Sequence, residues 1–217
     1  MGKFTDKLAV ITGGNQPNSL AMAKKFADEG AKVVILTKDA AADAADVQAQ
    51  GAIAMQCNIA DFADVTATFN KIKAELGYVD ILVCNPNASY KKTLLETTPE
   101  EWNEVLAINV HSLFYCCKQI FADIKERKTG ELILFSNDAA FGTAGNAAYA
   151  ITMASALGYI GTCSRETEKY GGTCNLVTPT AGATPEDVAN TVALLASEEG
   201  RAFHGQVIKV IKDWTKA

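Results

Sequence analysis

The sequence predicts a doubly wound α/β fold: a parallel sheet of about seven strands flanked by helices. Three observations predict it. Short apolar runs alternate with helical patterns along the whole chain, and a glycine pair, Gly13-Gly14, follows the first run directly. The runs are apolar at nearly every position rather than at every second one, as strands covered on both faces are. Parallel neighbours need right-handed crossovers long enough to hold a helix, which accounts for the rhythm.

In order, residues 8–12 (Leu-Ala-Val-Ile-Thr) form the first strand, and a helix follows over 17–29. Pro17 suits a first helical turn and Gly30 closes the last one. Residues 32–37 give the second strand, an alanine-rich helix spans 40–50, and 52–57 give the third strand. Asp61 is an N-cap for a helix over 61–76, and 78–84 form the fourth strand. Thr98-Pro-Glu-Glu101 starts a helix that runs to about residue 125: threonine caps it, proline fills the first position and acids fill the first turn. The fifth strand is 131–135, followed by a helix over 147–170, a strand over 173–177, a helix over 185–197 and a last strand over 206–211. This alternation is that of a Rossmann fold, read as one domain over residues 1–217.

A chain of 217 residues with 48% apolar content can bury a sizeable core. The net charge of −5, with lysines and arginines scattered, excludes a nucleic-acid footprint and points to a small-molecule substrate or a protein partner. The amino-terminal stretch has no signal-peptide core, and no run approaches the roughly 18 apolar residues of a membrane span, so a cytoplasmic protein without a membrane partner is expected. Six cysteines lie mostly inside apolar runs, with no C-x-x-C pair and two histidines in the chain. They are read as buried, reduced thiols, with no metal site.

Open parallel sheets bind ligands beyond the carboxyl ends of their strands. That rule puts Gly13, residues 57–59, residues 84–87, Ser136 and residues 177–180 on one rim. The central stretch runs from Glu131 to Met153, where a strand stops at Ser136 and a loop leads to Tyr149 on the next helix, thirteen residues on. A serine at a strand tip and a tyrosine in a helix's first turn can point into one crevice.

Thr12-Gly13, Asn85, the string Trp102-Asn-Glu-Val-Leu-Ala-Ile-Asn109-Val, Ser136, Tyr149 and Pro179 occur in the order of the short-chain dehydrogenase/reductase family, which the sequence resembles over essentially its whole length. The resemblance implies an NAD(P)-dependent reductase of a carbonyl or enone. Tyr149 would exchange a proton with the substrate oxygen, Ser136 would polarise that oxygen, and Asn109 would hold a relay water. The implied cofactor contacts are Gly13, Ser19, Leu20, Lys38, Asn58, Ile59, Asn85 and Pro179. The nucleotide loop looks like that of enoyl-thioester reductases, with Pro17 and Ser19 where glycines are usual and the Ser19 hydroxyl available to a phosphate. The second strand ends Leu36-Thr37-Lys38, without the acid that would take a ribose 2′-hydroxyl; Lys38 suits a 2′-phosphate, which favours NADP over NAD.

Two departures from the family stand out. Met153 occupies the position of the lysine that lowers the tyrosine pKa, and the alternative lysine frame at Ala156 is also empty. A phenol without a cation stays near pKa about 10, with about one part in a thousand ionised at pH 7. Lys91 or Lys92 is a candidate substitute cation, and Asp138 would raise the phenol pKa if it approached. The second departure is a deleted substrate lid: residues 181–184 alone separate Thr180 from the helix start at Pro185. The helix bearing Tyr149 carries Ala150, Ala154, Ala156, Gly158 and Gly161, and in the family it joins the Asn109 helix in an interface, which implies a homodimer or homotetramer. A lyase or isomerase using Tyr149 and Ser136, and a non-catalytic member keeping the fold, are the alternative readings.

Overall fold

The seven apolar runs pair in parallel into one sheet of order β3-β2-β1-β4-β5-β6-β7. A computed structural model describes residues 2–212. The strands are β1 (Leu8–Thr12), β2 (Lys32–Thr37), β3 (Ile53–Gln56), β4 (Ile81–Cys84), β5 (Glu131–Phe135), β6 (Thr173–Pro179) and β7 (Val207–Val210). The helices are α1 (Pro17–Asp28), α2 (Ala40–Gln48), α3 (Phe62–Leu76), α4 (Pro99–Leu106), α5 (Ser112–Arg127), α6 (Ala147–Glu168) and α7 (Pro185–Ala196). Strand order reverses beside β1, which has β2 on one side and β4 on the other. A ligand crevice opens at such a reversal.

Alternating residues of each strand feed two cores. Val10, Leu82, Leu132 and Leu134 face α3, α5 and α6, whereas Ile11, Ile35, Ile133 and Phe135 face α1 and α7. Each such fully buried side chain contributes roughly 1.5–3 kcal/mol, so a one-residue slip in register would expose a whole row. Asp61 caps α3 through the amides of Ala63 and Asp64, and Thr98 with Glu101 forms a capping box on α4, as the sequence implies.

Several boundaries differ from the sequence reading, each for a local reason. Residues 78–80 do not join β4, because the Asp80 side chain turns inward to accept the Leu8 amide and the Arg127 guanidinium. β6 extends to Pro179, since β7 continues alongside it to Val210. The helix expected over 98–125 is two α-helices joined by a π turn, Ala107–His111. By length and composition the rod from Pro99 to Arg127 is long and apolar enough to cross a membrane. Its apolar residues Val105, Leu113, Cys116, Cys117, Ile120 and Ile124 are buried within the protein.

All six cysteines are free and buried. Burial pushes the Cys57 thiol up to about 11. Among the described residues no cluster of histidine, cysteine or acidic side chains has the arrangement of a metal site.

Candidate active site

The turn after β1 requires glycine. Gly13 has φ +107°, and a Cβ there would fall 2.3 Å from the Asn85 carbonyl oxygen. The close approach locks β1 to β4: the Asn85 amide donates to Thr12 Oγ1 at 3.0 Å, and Asn85 Nδ2 donates to Ser19 Oγ at 3.1 Å. Ser19 is fully buried and its hydroxyl points back to the Thr12 carbonyl, so it fastens α1 to the strand ends instead of presenting itself to a phosphate. Leu20 packs, half-buried, into the core beneath α1.

Beyond this turn lies a cleft of about 530 Å³. Of the expected cofactor contacts, Gly13, Lys38, Asn58 and Ile59 line it, together with Gly14, Thr37, Asp43 and Glu104. The amino end of α1 abuts it through Asn15 and Gln16, and the positive end of that helix suits an anion. Asn85 sits behind Gly13, and Pro179 ends β6 without reaching the cleft wall.

Tyr149 stands in the first turn of α6, half-buried. Its phenol oxygen accepts a hydrogen bond from Asn137 Nδ2 at 2.6 Å. Asn137 Oδ1 accepts the Ala139 amide at 3.0 Å, and because a backbone amide can only donate, the orientation of the Asn137 side chain is fixed. The thirteen-residue spacing pointed instead to Ser136. Ser136 is buried, and its Oγ donates to the Met153 carbonyl at 2.8 Å. Ser136 continues the face of Leu132 and Leu134 that α6 covers, and its hydroxyl is taken up by the α6 backbone. Asn137, one residue on, meets the phenol.

Asn109 lies in the π turn and is buried. Its Nδ2 donates to the Ala88 carbonyl at 2.8 Å and to Thr152 Oγ1 at 3.0 Å, while its Oδ1 accepts the Ala88 amide at 2.8 Å. Both donors are engaged, so the amide ties the loop after β4 to α6 and has no N–H left for a relay water. Turns of this wider kind concentrate at functional sites.

Burial raises the Tyr149 pKa, and the bond from Asn137 offsets part of that rise. Among the described residues the phenol's hydrogen-bond partner is Asn137; Met153 stands, buried, where the family's lysine would be, and Lys92 is paired with Glu101. The loop between β6 and α7 is as short as the sequence indicates, residues 180–184.

A family model described as short chain dehydrogenase matches residues 7–192. The chain belongs to that family. This short-chain dehydrogenase is 28% identical over 235 residues to the 3-oxoacyl-[acyl-carrier-protein] reductase FabG of Escherichia coli K12, covering 95% of the chain and 96% of that protein. It is 28% identical over 236 residues to the enzyme of the same name from Staphylococcus aureus Mu50, covering 94% and 96%. Its fold matches a crystal structure titled ribose-5-phosphate isomerase from Brucella melitensis 16M, with a TM-score of 0.89 and 23% identity over 96% of this chain and 91% of that one. At that identity the likeness is one of fold alone. Family membership makes the chain an oxidoreductase of the short-chain type.

Two residues escaped the sequence reading: Asn137, which meets the Tyr149 phenol, and Asp43, which lines the cleft. Asn137 was legible as a polar residue just past a strand, one position from the residue chosen. Asp43 sits inside an alanine-rich helical pattern with no local signal that its side chain turns toward the strand ends.

Proposed function

We propose that this chain is an NAD(P)-dependent reductase of a carbonyl or enone, with Tyr149 as the proton donor. One observation carries the reading: the phenol oxygen accepts from Asn137, so the phenol's own proton is free to be given to a substrate oxygen. The residues fit a dinucleotide. Gly13 and Gly14 keep side chains out of the turn, Asn58 and Ile59 form a wall, and the amino end of α1 meets a pyrophosphate. When bound, the dinucleotide supplies the hydride.

Tyr149 delivers the proton from an acid form that burial favours. Asn137 stabilises the phenolate left behind, a part a cation would otherwise play. Asn109 and Ser136 act as positioning residues, one holding the loop at Ala88 and the other the first turns of α6. The short β6–α7 loop leaves the substrate side open, which suits a long substrate, and the named relatives act on 3-oxoacyl groups borne by a carrier protein. A 3-oxoacyl thioester is therefore the first substrate to assay.

A homodimer or homotetramer accompanies this reading. A Cβ added at Gly158 or Gly161 would meet nothing, and Gly158, Phe114 and Tyr159 border an open groove between α5 and α6. Light scattering should give a mass at or above twice that of one chain; a monomer at micromolar concentration would remove this part.

The test of the activity follows reduced-dinucleotide absorbance with a 3-oxoacyl thioester, a simple ketone and an enone. Consumption matched one-for-one by hydroxy or saturated product supports the reading. Saturable dinucleotide binding with no turnover of any of the three would favour the non-catalytic alternative.

A further inference from the structure

The tip of β2 carries an acid that the strand itself lacks. Asp43 stands in the first turn of α2, whose N-cap is Asp39. Its carboxylate accepts the Thr37 hydroxyl at the end of β2. The same Oδ2 lies 3.7 Å from where a Cβ on Gly14 would be, so the acid faces the glycine turn from across the cleft. Asp43, Thr37, Gly14 and Lys38 all line that cleft.

We propose that Asp43 reads the adenine-ribose hydroxyls and excludes a 2′-phosphate, so that this chain takes NAD(H) over NADP(H). The inference rests on the nicotinamide reading above and runs against the preference that Lys38 alone suggests. A carboxylate has about four acceptor sites, and the Thr37 hydroxyl occupies one of them, which leaves the group able to take both hydroxyls of a ribose diol. A 2′-phosphate dianion beside it would meet a like charge held in place by a hydrogen bond.

Lys38 does not reverse this balance. It is exposed, and among the described residues it forms no ion pair, with Asp43 or with any other acid. A solvated ammonium on a flexible stem loses most of its attraction to water and salt. The fixed partner on the cleft wall is the acid, and Glu104 adds a second carboxylate.

The test is fluorescence titration of the whole protein with NADH and NADPH. The wild type should bind NADH at least about tenfold more tightly, a like-charge cost of about 1.4 kcal/mol or more. Asp43→Ser should weaken NADH and strengthen NADPH, bringing the ratio of dissociation constants near or below one. Lys38→Ala should leave that ratio within about twofold. A fold defect weakens both ligands together and cannot invert the ratio, and a melting curve for each variant identifies it. NADPH binding as tight as NADH in the wild type, or an unchanged ratio in a folded Asp43→Ser protein, would overturn the inference while leaving the reductase reading intact. Binding of neither dinucleotide would remove both.

Discussion

Asn137 donates to the phenol oxygen of Tyr149 at 2.6 Å, while its neighbour Ser136 turns the other way and donates to the carbonyl of Met153 at 2.8 Å. The two polar residues that follow β5 thus have separate tasks, and their variants should separate as well. Asn137→Ala removes the group that stabilises the phenolate and should lower the reductive rate by about tenfold or more with little change in melting temperature. Ser136→Ala removes a buried hydrogen bond to a helix carbonyl that keeps its backbone partner and should cost about 1 kcal/mol in urea denaturation, with a smaller effect on turnover. The opposite pattern would return Ser136 to the catalytic role.

The pH profile follows from the raised Tyr149 pKa, whose main cause is burial. Reduction uses the phenol, the form present below the pKa, so its rate should stay level from pH 6 to about 9. Oxidation needs the phenolate, so its rate should climb about tenfold per pH unit over the same range. A bell-shaped reductive profile centred near neutrality would mean that another group supplies the proton.

Met153→Lys tests the missing cation. Met153 is buried one helical turn from Tyr149, and an ammonium there should lower the phenol pKa, moving the oxidative profile to lower pH. The same burial makes the change costly, so the midpoint of urea unfolding should also fall. An unchanged oxidative profile in a folded variant would show that this position no longer communicates with the phenol.

The fold was legible because its signals are local and repeated. Each apolar run became a strand, and the caps at Asp61 and Thr98 form as their spacing implies. Glycine at position 13 was equally legible, since only the turn itself needs to be known. The site was less so, because it depends on which way single side chains turn. Spacing along the chain selected Ser136, whereas the Ser136 hydroxyl is taken up by the α6 backbone and Asn137, one residue on, meets the phenol. Lys38 was visible at the tip of β2, but Asp43 reaches the same place from the next helix, a tertiary contact with no local pattern. The π turn at Asn109 likewise leaves the helical periodicity nearly intact.

At the opposite end of the sheet, Glu131 is buried and paired with Arg201 at 2.6 Å. Burial raises the Glu131 pKa, while the Thr173 hydroxyl and Arg201 pull it down. Arg201→Met should cost about 3 kcal/mol at pH 7 by leaving that charge unpaired. Without the guanidinium the folded-state pKa rises further above the unfolded value, so the carboxyl takes up a proton more readily when folded. The loss relative to wild type should therefore shrink as pH falls from 7 to 5. A loss that is constant over this window would show that Glu131 titrates normally in the variant.

The central claim is that Tyr149 gives the proton in a hydride reduction, and the most direct measurement is the single-turnover rate of the Tyr149→Phe enzyme with saturating reduced dinucleotide and a reducible substrate. The account predicts a loss of about a hundredfold or more relative to wild type, with dinucleotide affinity changed by less than about twofold. A phenylalanine variant that turns over at the wild-type rate would contradict it.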